Sequence, residues 1–178
     1  MALEKRSGYQ EIVSIFAIMH QKTTQFVTVA EALKKMERFC AYQERCHKEI
    51  ETKLHTMTLI PEAKEKIILH LLAHDFLNEE RFAKSFARGK FRIKNWGRQR
   101  ITKELKYREI SNYNIKTALK EIPEHEYINS FHRLAEKKLA SLQESNPYKK
   151  RKKLADFLLY RGWETHLVFQ KVNELIPF

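Results

Sequence analysis

The chain reads as an all-α protein, a tandem array of three three-helix, helix-turn-helix-like repeats stacked into an elongated, curved body. Three observations carry that reading. Four Gly and four Pro in 178 residues are too few turn formers for a sandwich or barrel, and they suit long helices joined by short connections. Apolar residues make up 43% of the chain, enough for a core and too many for a disordered basic tail. Finally, the pattern Glu49-Ile50-Glu51-Thr52-Lys53-Leu54 returns as Arg100-Ile101-Thr102-Lys103-Glu104-Leu105 and as Lys153-Leu154-Ala155-Asp156-Phe157-Leu158, at offsets of 51 and 53 residues. Leu59, Ile110 and Trp163 each follow five positions after the last apolar residue of the pattern. A period of about 50 residues marks a repeat protein whose units, each too small to bury a core alone, stack on their neighbours.

Residues 1–27, an N-terminal arm, match nothing downstream. Ile12, Val13, Ile15, Phe16 and Ile18 fit a pair of helical turns, a strand or an unpacked arm equally well. No small-residue cleavage site follows them, which argues against a signal peptide, and Met19 is a candidate natural start. The first repeat spans 28–76. Thr28 and Glu31 form a capping box there, ahead of Ala32, Leu33, Met36, Phe39 and Cys40 at helical spacing. Helices are predicted over 29–45, 47–56 and 61–75. The second repeat, 77–122, opens with Asn78 as N-cap, Glu79 and Glu80 in the first turn, and Phe82 and Phe86 four apart. Its helices are predicted over 79–94, 98–108 and 112–122. The third, 123–178, has helices over 124–144, 147–161 and 164–176. Pro61, Pro123 and Pro147 fall at or beside helix starts, where a missing amide hydrogen costs little.

Charge is concentrated. Residues 84–108 carry ten Lys or Arg against Glu104, a net +9, and residues 137–153 carry a net +6; the remaining 136 residues sum to −3. Localised positive charge of this kind is the footprint of a polyanion site. Arg88, Lys90, Arg92 and Lys94 alternate through the end of one helix, and Arg98, Arg100, Lys103 and Lys106 run through the next. Helix periodicity cannot bring all of them to one face, so a helix end and the start of its neighbour must form the patch jointly. Trp96, between Asn95 and Gly97 in a basic turn, is placed either to stack on a base or to pack beneath a repeat junction. Phe82, Phe86, Phe91 and Ile93, and later Phe131, Leu134, Leu142, Phe157 and Leu158, are predicted core.

No catalytic constellation is present. Gly-x-Ser-x-Gly, a placed Cys–His pair and a phosphate loop are all absent from the sequence, and the helix dipole accounts for Glu79 and Glu80. His70, His74 and Asp75 share a helix end, but two imidazoles do not make a metal site, and Cys40, Cys46, His47 and His55 lack ligand spacing to complete one. No cofactor or metal is expected. Cys40 and Cys46, six apart on a predicted helix, point apart and are expected to be free thiols in a reducing compartment. No run of about 18 apolar residues exists to span a membrane.

The central motif is Leu77-Asn78-Glu79-Glu80-Arg81-Phe82-Ala83, then Phe86-Ala87-Arg88, Trp96-Gly97-Arg98, Ile101 and Glu104-Leu105-Lys106. Tyr42, Arg45, Glu49 and Lys53-Leu54 support it upstream, and Lys153-Leu154, Leu158 and Arg161-Gly162-Trp163 downstream. These residues resemble the RecX family of recombinase regulators over about 32–175. The resemblance implies a cytoplasmic array of three-helix repeats that binds the RecA filament on single-stranded DNA. It also implies restraint of RecA's ATP hydrolysis, strand exchange and coprotease activity from within the filament groove. Two positions depart from the family: Cys46 stands where a capping Ser or Thr is common, and Asn78 replaces the first acid of an Asp-Asp-Glu-Arg start. On this basis Arg81, Arg88, Lys90, Arg92, Lys94, Trp96, Arg98, Arg100, Lys103, Lys106, Lys149, Lys150, Arg151 and Lys152 are expected to meet RecA and DNA, in a monomer without catalytic activity. The alternatives are a sequence-specific helix-turn-helix regulator using 105–119, whose recognition helix carries only Lys116 and Lys120, and a nonspecific DNA binder with no protein target.

Overall fold

A computed structural model describes residues 27–177. Among them the chain forms nine helices and no strand: α1 Val29–Tyr42, α2 His47–His55, α3 Pro61–Ala73, α4 Glu79–Lys94, α5 Arg98–Tyr107, α6 Asn112–Lys120, α7 Glu124–Ala140, α8 Pro147–Tyr160 and α9 Thr165–Leu175. The readings made of residues 1–26, including Met19 as a start, lie outside the described residues. No helix among the described residues is long and apolar enough to cross a membrane.

Local chemistry sets the helix starts. Thr28 Oγ1 accepts from the Glu31 amide at 3.3 Å while Glu31 Oε2 accepts from the Thr28 amide at 3.0 Å, closing the capping box on α1. Asn78, Ser111 and Asn146 cap α4, α6 and α8 through their side chains. Pro61 and Pro147 open α3 and α8, and Pro123 is the N-cap residue of α7. Two helices stop three or four residues short of the periodicity. The first ends at Tyr42, not 45, because the turn beyond it carries Glu44 to Arg81 and stacks Arg45 on Phe39 at 3.8 Å. Likewise α7 ends at Ala140, not 144, and Glu144 turns back to pair with Lys153 at 2.6 Å.

Three successive helices make a unit. The middle helix of each presents an i, i+4 pair to its core, Ile50 and Leu54, Ile101 and Leu105, Leu154 and Leu158, all at most 1% exposed. Burying each such side chain contributes about 1.5–3 kcal/mol. In the first two units the outer helices, α1 with α3 and α4 with α6, carry the main packing; in the third, α8 with α9 does.

The buried residues form two clusters. One belongs to the first unit and includes Met36, Ile50, Ile67 and Leu71. The other runs without a break through the second and third units, where Tyr127, Phe131 and Trp163 stack with ring centroids 4.5–5.1 Å apart. Among the described residues Cys46 is the only buried member of the first unit to join the second cluster. Cys40 and Cys46 are both free and buried, and burial raises the pKa of each thiol.

At the second joint, the turn between α4 and α5 meets the turn between α8 and α9 through main chain. The Gly97 amide donates to the Arg161 carbonyl at 2.8 Å and the Gln99 amide to the Gly162 carbonyl at 3.1 Å. A Cβ on Gly97 would stand 2.1 Å from the Gly162 carbonyl oxygen, and one on Gly162, whose φ is 82°, would stand 2.3 Å from the Arg100 nitrogen. Only glycine fits at either position. Beneath them the Tyr127 hydroxyl accepts from the Arg98 amide at 2.9 Å and donates to Glu164 at 2.7 Å. Burial, with the donation to Glu164 reinforcing it, holds that phenol far above its ordinary pKa.

The first joint occupies the same place one unit earlier and is built from side chains. Cys46, the α2 N-cap residue, stands where Gly97 stands in α5, and makes no side-chain cap bond. Glu109, at φ 63°, takes the left-handed position of Gly162, a conformation that costs a non-glycine residue about 1 kcal/mol or more. Lys48 Nζ donates to the Tyr107 carbonyl at 2.8 Å and to Glu109 at 2.7 Å, and Arg108 lies 3.7 Å from Glu49. Arg81 adds a clamp, donating to Glu44 and to the Asp75 carboxylate at 2.6 Å each. Apart from the Leu77 amide, which donates to the Leu71 carbonyl at 3.0 Å where the chain passes from one unit to the next, no backbone hydrogen bond among the described residues crosses this joint.

Two glycine substitutions are expected to have opposite signs. Gly97→Ala should lower stability by about 2 kcal/mol or more, through overpacking and lost main-chain bonds. Gly89→Ala, inside α4 where an added Cβ meets nothing within 4 Å, should raise it by about 0.5–1 kcal/mol. Urea midpoints of the two variants check both.

Candidate nucleic-acid interface

The basic residues of α4 divide into two stripes. Lys84, Arg88 and Arg92 follow one another at four-residue spacing, and each meets an acid: Lys84 with Glu80 at 2.8 Å, Arg88 with Glu121 at 3.1 Å, Arg92 with Glu126 at 3.8 Å. Lys90 and Lys94 stand about 160° round the helix from Arg88 and Arg92, at 100° per residue. Among the described residues neither has an acidic partner; Lys94 is exposed and Lys90 half-buried. The stripe that looks most basic in sequence is therefore largely neutralised, and the uncompensated charge lies on the other side.

That other side continues across the turn into α5 as a stack of cations and rings. Lys90 Nζ lies 5.1 Å from the Phe86 ring centroid and 5.3 Å from that of Trp96. Arg100 lies 4.2 Å from Trp96 and 4.6 Å from Tyr160 of the third unit, and its guanidinium donates to the Tyr160 carbonyl at 3.1 Å. Arg108 closes the stack at 4.9 Å from Phe86, and it alone of these cations is paired, with Glu104 at 2.8 Å and Glu49 at 3.7 Å. Such contacts stabilise by about 0.5–2 kcal/mol each and hold the cations in place without removing their charge. Trp96 packs at the junction, edge-on to Phe86 at 6.4 Å, and is half-buried. Lys103 and Lys106 on α5 are exposed and, among the described residues, have no acidic partner.

Several of the expected contact residues have internal work. Arg81 is tied to Glu44 and Asp75, and the hydrogen bond to Glu44 raises the guanidinium pKa further. Arg98 pairs with Glu124 at 2.7 Å and lies 4.0 Å over the Tyr127 ring. In the second basic block Arg151 donates to the Ile176 carbonyl and to Asn173, Lys152 pairs with Asp156 at 2.6 Å, and Lys149 and Lys150 have no acidic partner among the described residues. Ile93, predicted core, is 74% exposed and lines a groove of about 320 Å³ beside Gly89, Ser85 and Lys94. The buried side of α4 shifts along its length, because Phe91 turns to Tyr127 of the third unit, 5.8 Å between centroids. The His70 Nε2–H donates to Glu37 of α1 at 2.9 Å and the ring stacks on His74, and no cluster of three potential metal ligands occurs among the described residues. Tyr107 and Tyr160 escaped the sequence reading, although their shared place at the end of a repeated helix was visible in the register.

Comparison with known proteins bears on what this surface belongs to. The family model for the RecX second three-helix domain matches residues 78–119, and that for the RecX third three-helix domain matches 125–172. A regulatory protein RecX of Pelodictyon phaeoclathratiforme is 34% identical over 116 residues, 65% of this chain and 71% of the relative. The chain belongs to the RecX family. Another regulatory protein RecX, from Lactobacillus johnsonii, is 29% identical over 105 residues, 59% of this chain and 39% of that protein. The chain spans about half the length of further RecX relatives. The crystal structure of RecX from Lactobacillus salivarius superimposes with a TM-score of 0.69 at 22% identity, covering 83% of this chain and 96% of that one, a likeness of fold. The two departures from the RecX motif are accommodated: the Asn78 side chain accepts from the Arg81 amide at 3.0 Å, and Cys46 gives up capping to plug the core of the next unit.

The split of α4 sets an expectation for any single-stranded oligonucleotide bound here. Replacing Lys90 and Lys94 by Gln should reduce the slope of log K against log salt by about 1.4, two phosphate contacts at 0.7 each. The Arg88→Gln, Arg92→Gln pair should change it by less than half as much. Fluorescence anisotropy titrations over a salt series, with helicity checked by circular dichroism, separate the two.

Proposed function

We propose that the chain is a non-catalytic regulator that binds RecA filaments on single-stranded DNA and lowers RecA's ATPase, strand-exchange and coprotease activities. Membership of the RecX family supports a regulatory role. The observation that carries the reading further is the unneutralised stack from Lys90 through Trp96 and Arg100 to Tyr160, flanked by Lys94, Lys103 and Lys106. Phosphates attract such a surface at long range, and the rings beside it offer unpaired bases a stacking partner. A surface crossing two units suits a fibre of protein and nucleic acid better than one short duplex site. The reading places the protein in the cytoplasm, acting as a monomer without cofactor.

A sequence-specific helix-turn-helix mode finds little support. The recognition helix would be α6, whose Ile115 and Ala118 are buried and whose main packing is against α4. Its two lysines, Lys116 and Lys120, are the only cations it presents.

Cosedimentation with RecA filaments, compared with naked single strands at several salt concentrations, tests the reading. Retention on filaments at salt that releases the protein from naked strands is the expected result. Equal release from both would make it a nonspecific DNA binder. In the same assay format, Lys90→Glu with Lys94→Glu should raise the concentration needed for half-suppression of RecA's DNA-dependent ATPase by at least about tenfold, while leaving helicity intact. Unchanged suppression would remove α4 from the interface.

A further inference from the structure

Each joint between units opens to solvent through a cleft, and the two clefts follow one plan. The first has a volume of about 470 Å³ and the second about 380 Å³. In the first, the wall is the solvent face of α2, with Lys48, Thr52 and Lys53. In the second it is the solvent face of α5, with Gln99, Arg100 and Lys103. Lys48 and Gln99, like Thr52 and Lys103, are related by the same 51-residue offset that relates the helices. Each floor is the last residue of the next unit's middle helix, Tyr107 or Tyr160, 53 residues apart.

These two tyrosines are 73% and 74% exposed, and among the described residues neither hydroxyl has a hydrogen-bond partner. Yet both rings are held. Lys48 Nζ lies 4.7 Å from the Tyr107 ring centroid and donates to the Tyr107 carbonyl; Arg100 lies 4.6 Å from the Tyr160 ring centroid and donates to the Tyr160 carbonyl. A cation thus fixes one face of each ring to its own backbone and leaves the rest of the ring to solvent. Lys53 in the first cleft and Lys103 in the second are exposed, with no acidic partner among the described residues. A large ring left this exposed gains little from burial in the free protein. Repeated at both joints beside an unpaired lysine, it has the makeup of a stacking platform with a phosphate contact at its edge.

We propose that the two joint clefts are a pair of nucleotide sites for single-stranded nucleic acid, each stacking one unpaired base on Tyr107 or Tyr160 and holding its phosphate with Lys53 or Lys103. The proposal rests on the nucleic-acid part of the function proposed above and adds what the strand must offer. Unpaired bases engage the clefts; a duplex hides its base faces, and a purely anionic chain has none. The covered face of each ring is already cationic, so the platform is biased toward an electron-rich base rather than a positively charged group.

The test uses the full chain and three probes of equal length: a labelled oligothymidylate, the matching abasic deoxyribose-phosphate strand and a duplex. The protein should prefer oligothymidylate to the abasic strand by at least about tenfold per occupied ring, as base–aromatic stacking predicts. Tyr107→Leu with Tyr160→Leu should lower that preference by at least about tenfold, and Tyr→Phe at both positions should retain it. Thermal midpoints of the Leu and Phe pairs show that each variant folds. A wild-type protein without preference for bases, or a Leu pair that keeps it, overturns the proposal, as does displacement by poly-glutamate as effective as that by oligothymidylate. RecA ATPase suppression is read in parallel. Base preference lost with the Leu pair in a protein that never suppresses RecA would sink the RecA reading and leave the clefts standing. Suppression by a protein without base preference would do the reverse.

Discussion

Everything in the second half of the molecule depends on how closely two strands of main chain approach at Gly97 and Gly162. No side chain fits between them, so the amides of Gly97 and Gln99 reach the carbonyls of Arg161 and Gly162 directly. That contact fixes the turn from α4 into α5 against the turn from α8 into α9. It places Tyr127 where its hydroxyl can satisfy the otherwise unpaired Arg98 amide at the start of α5. It also brings Tyr160 beside Arg100, and so completes the cation stack that begins at Lys90 on another helix. A packing constraint of two glycines thereby becomes an electrostatic arrangement on the surface.

The surface is more selective than its charge suggests. Glu121, in the connection between α6 and α7, and Glu124 and Glu126 of α7 are spent on Lys84, Arg88, Arg98 and Arg92, four of the ten cations between 84 and 108. What they leave uncompensated runs from α4 to α5, along the line where one unit meets the next. Surface ion pairs of this sort add little stability. Their effect is to mask part of the field, narrowing the face that a polyanion can approach.

Much of this was legible in the residues, and the limits have physical causes. The helices follow from periodicity and caps: Thr28 with Glu31, Asn78 and the three i, i+4 core pairs each do in space what their spacing predicts. What the sequence did not show were partners far off along the chain. Nothing near Arg88 announces Glu121, and nothing near Arg81 announces Glu44. Ile93 follows the apolar spacing yet stands in water, because a helix covered by one neighbour at its start and another at its end does not keep a single buried face. The paired tyrosines were readable only through the repeat register, since an exposed ring leaves no mark on hydrophobic periodicity.

The two joints occupy equivalent places but differ in substance. The second is main chain against main chain above a continuous aromatic core; the first is Lys48 with Glu109, Arg108 with Glu49 and Arg81 with Glu44, half-open to water. Bonds between backbone groups ignore ionic strength, whereas charges at the rim of a crevice are screened by it. Rising salt therefore weakens the first joint and spares the second, so the three equivalent units are not held together with equal firmness in every solution.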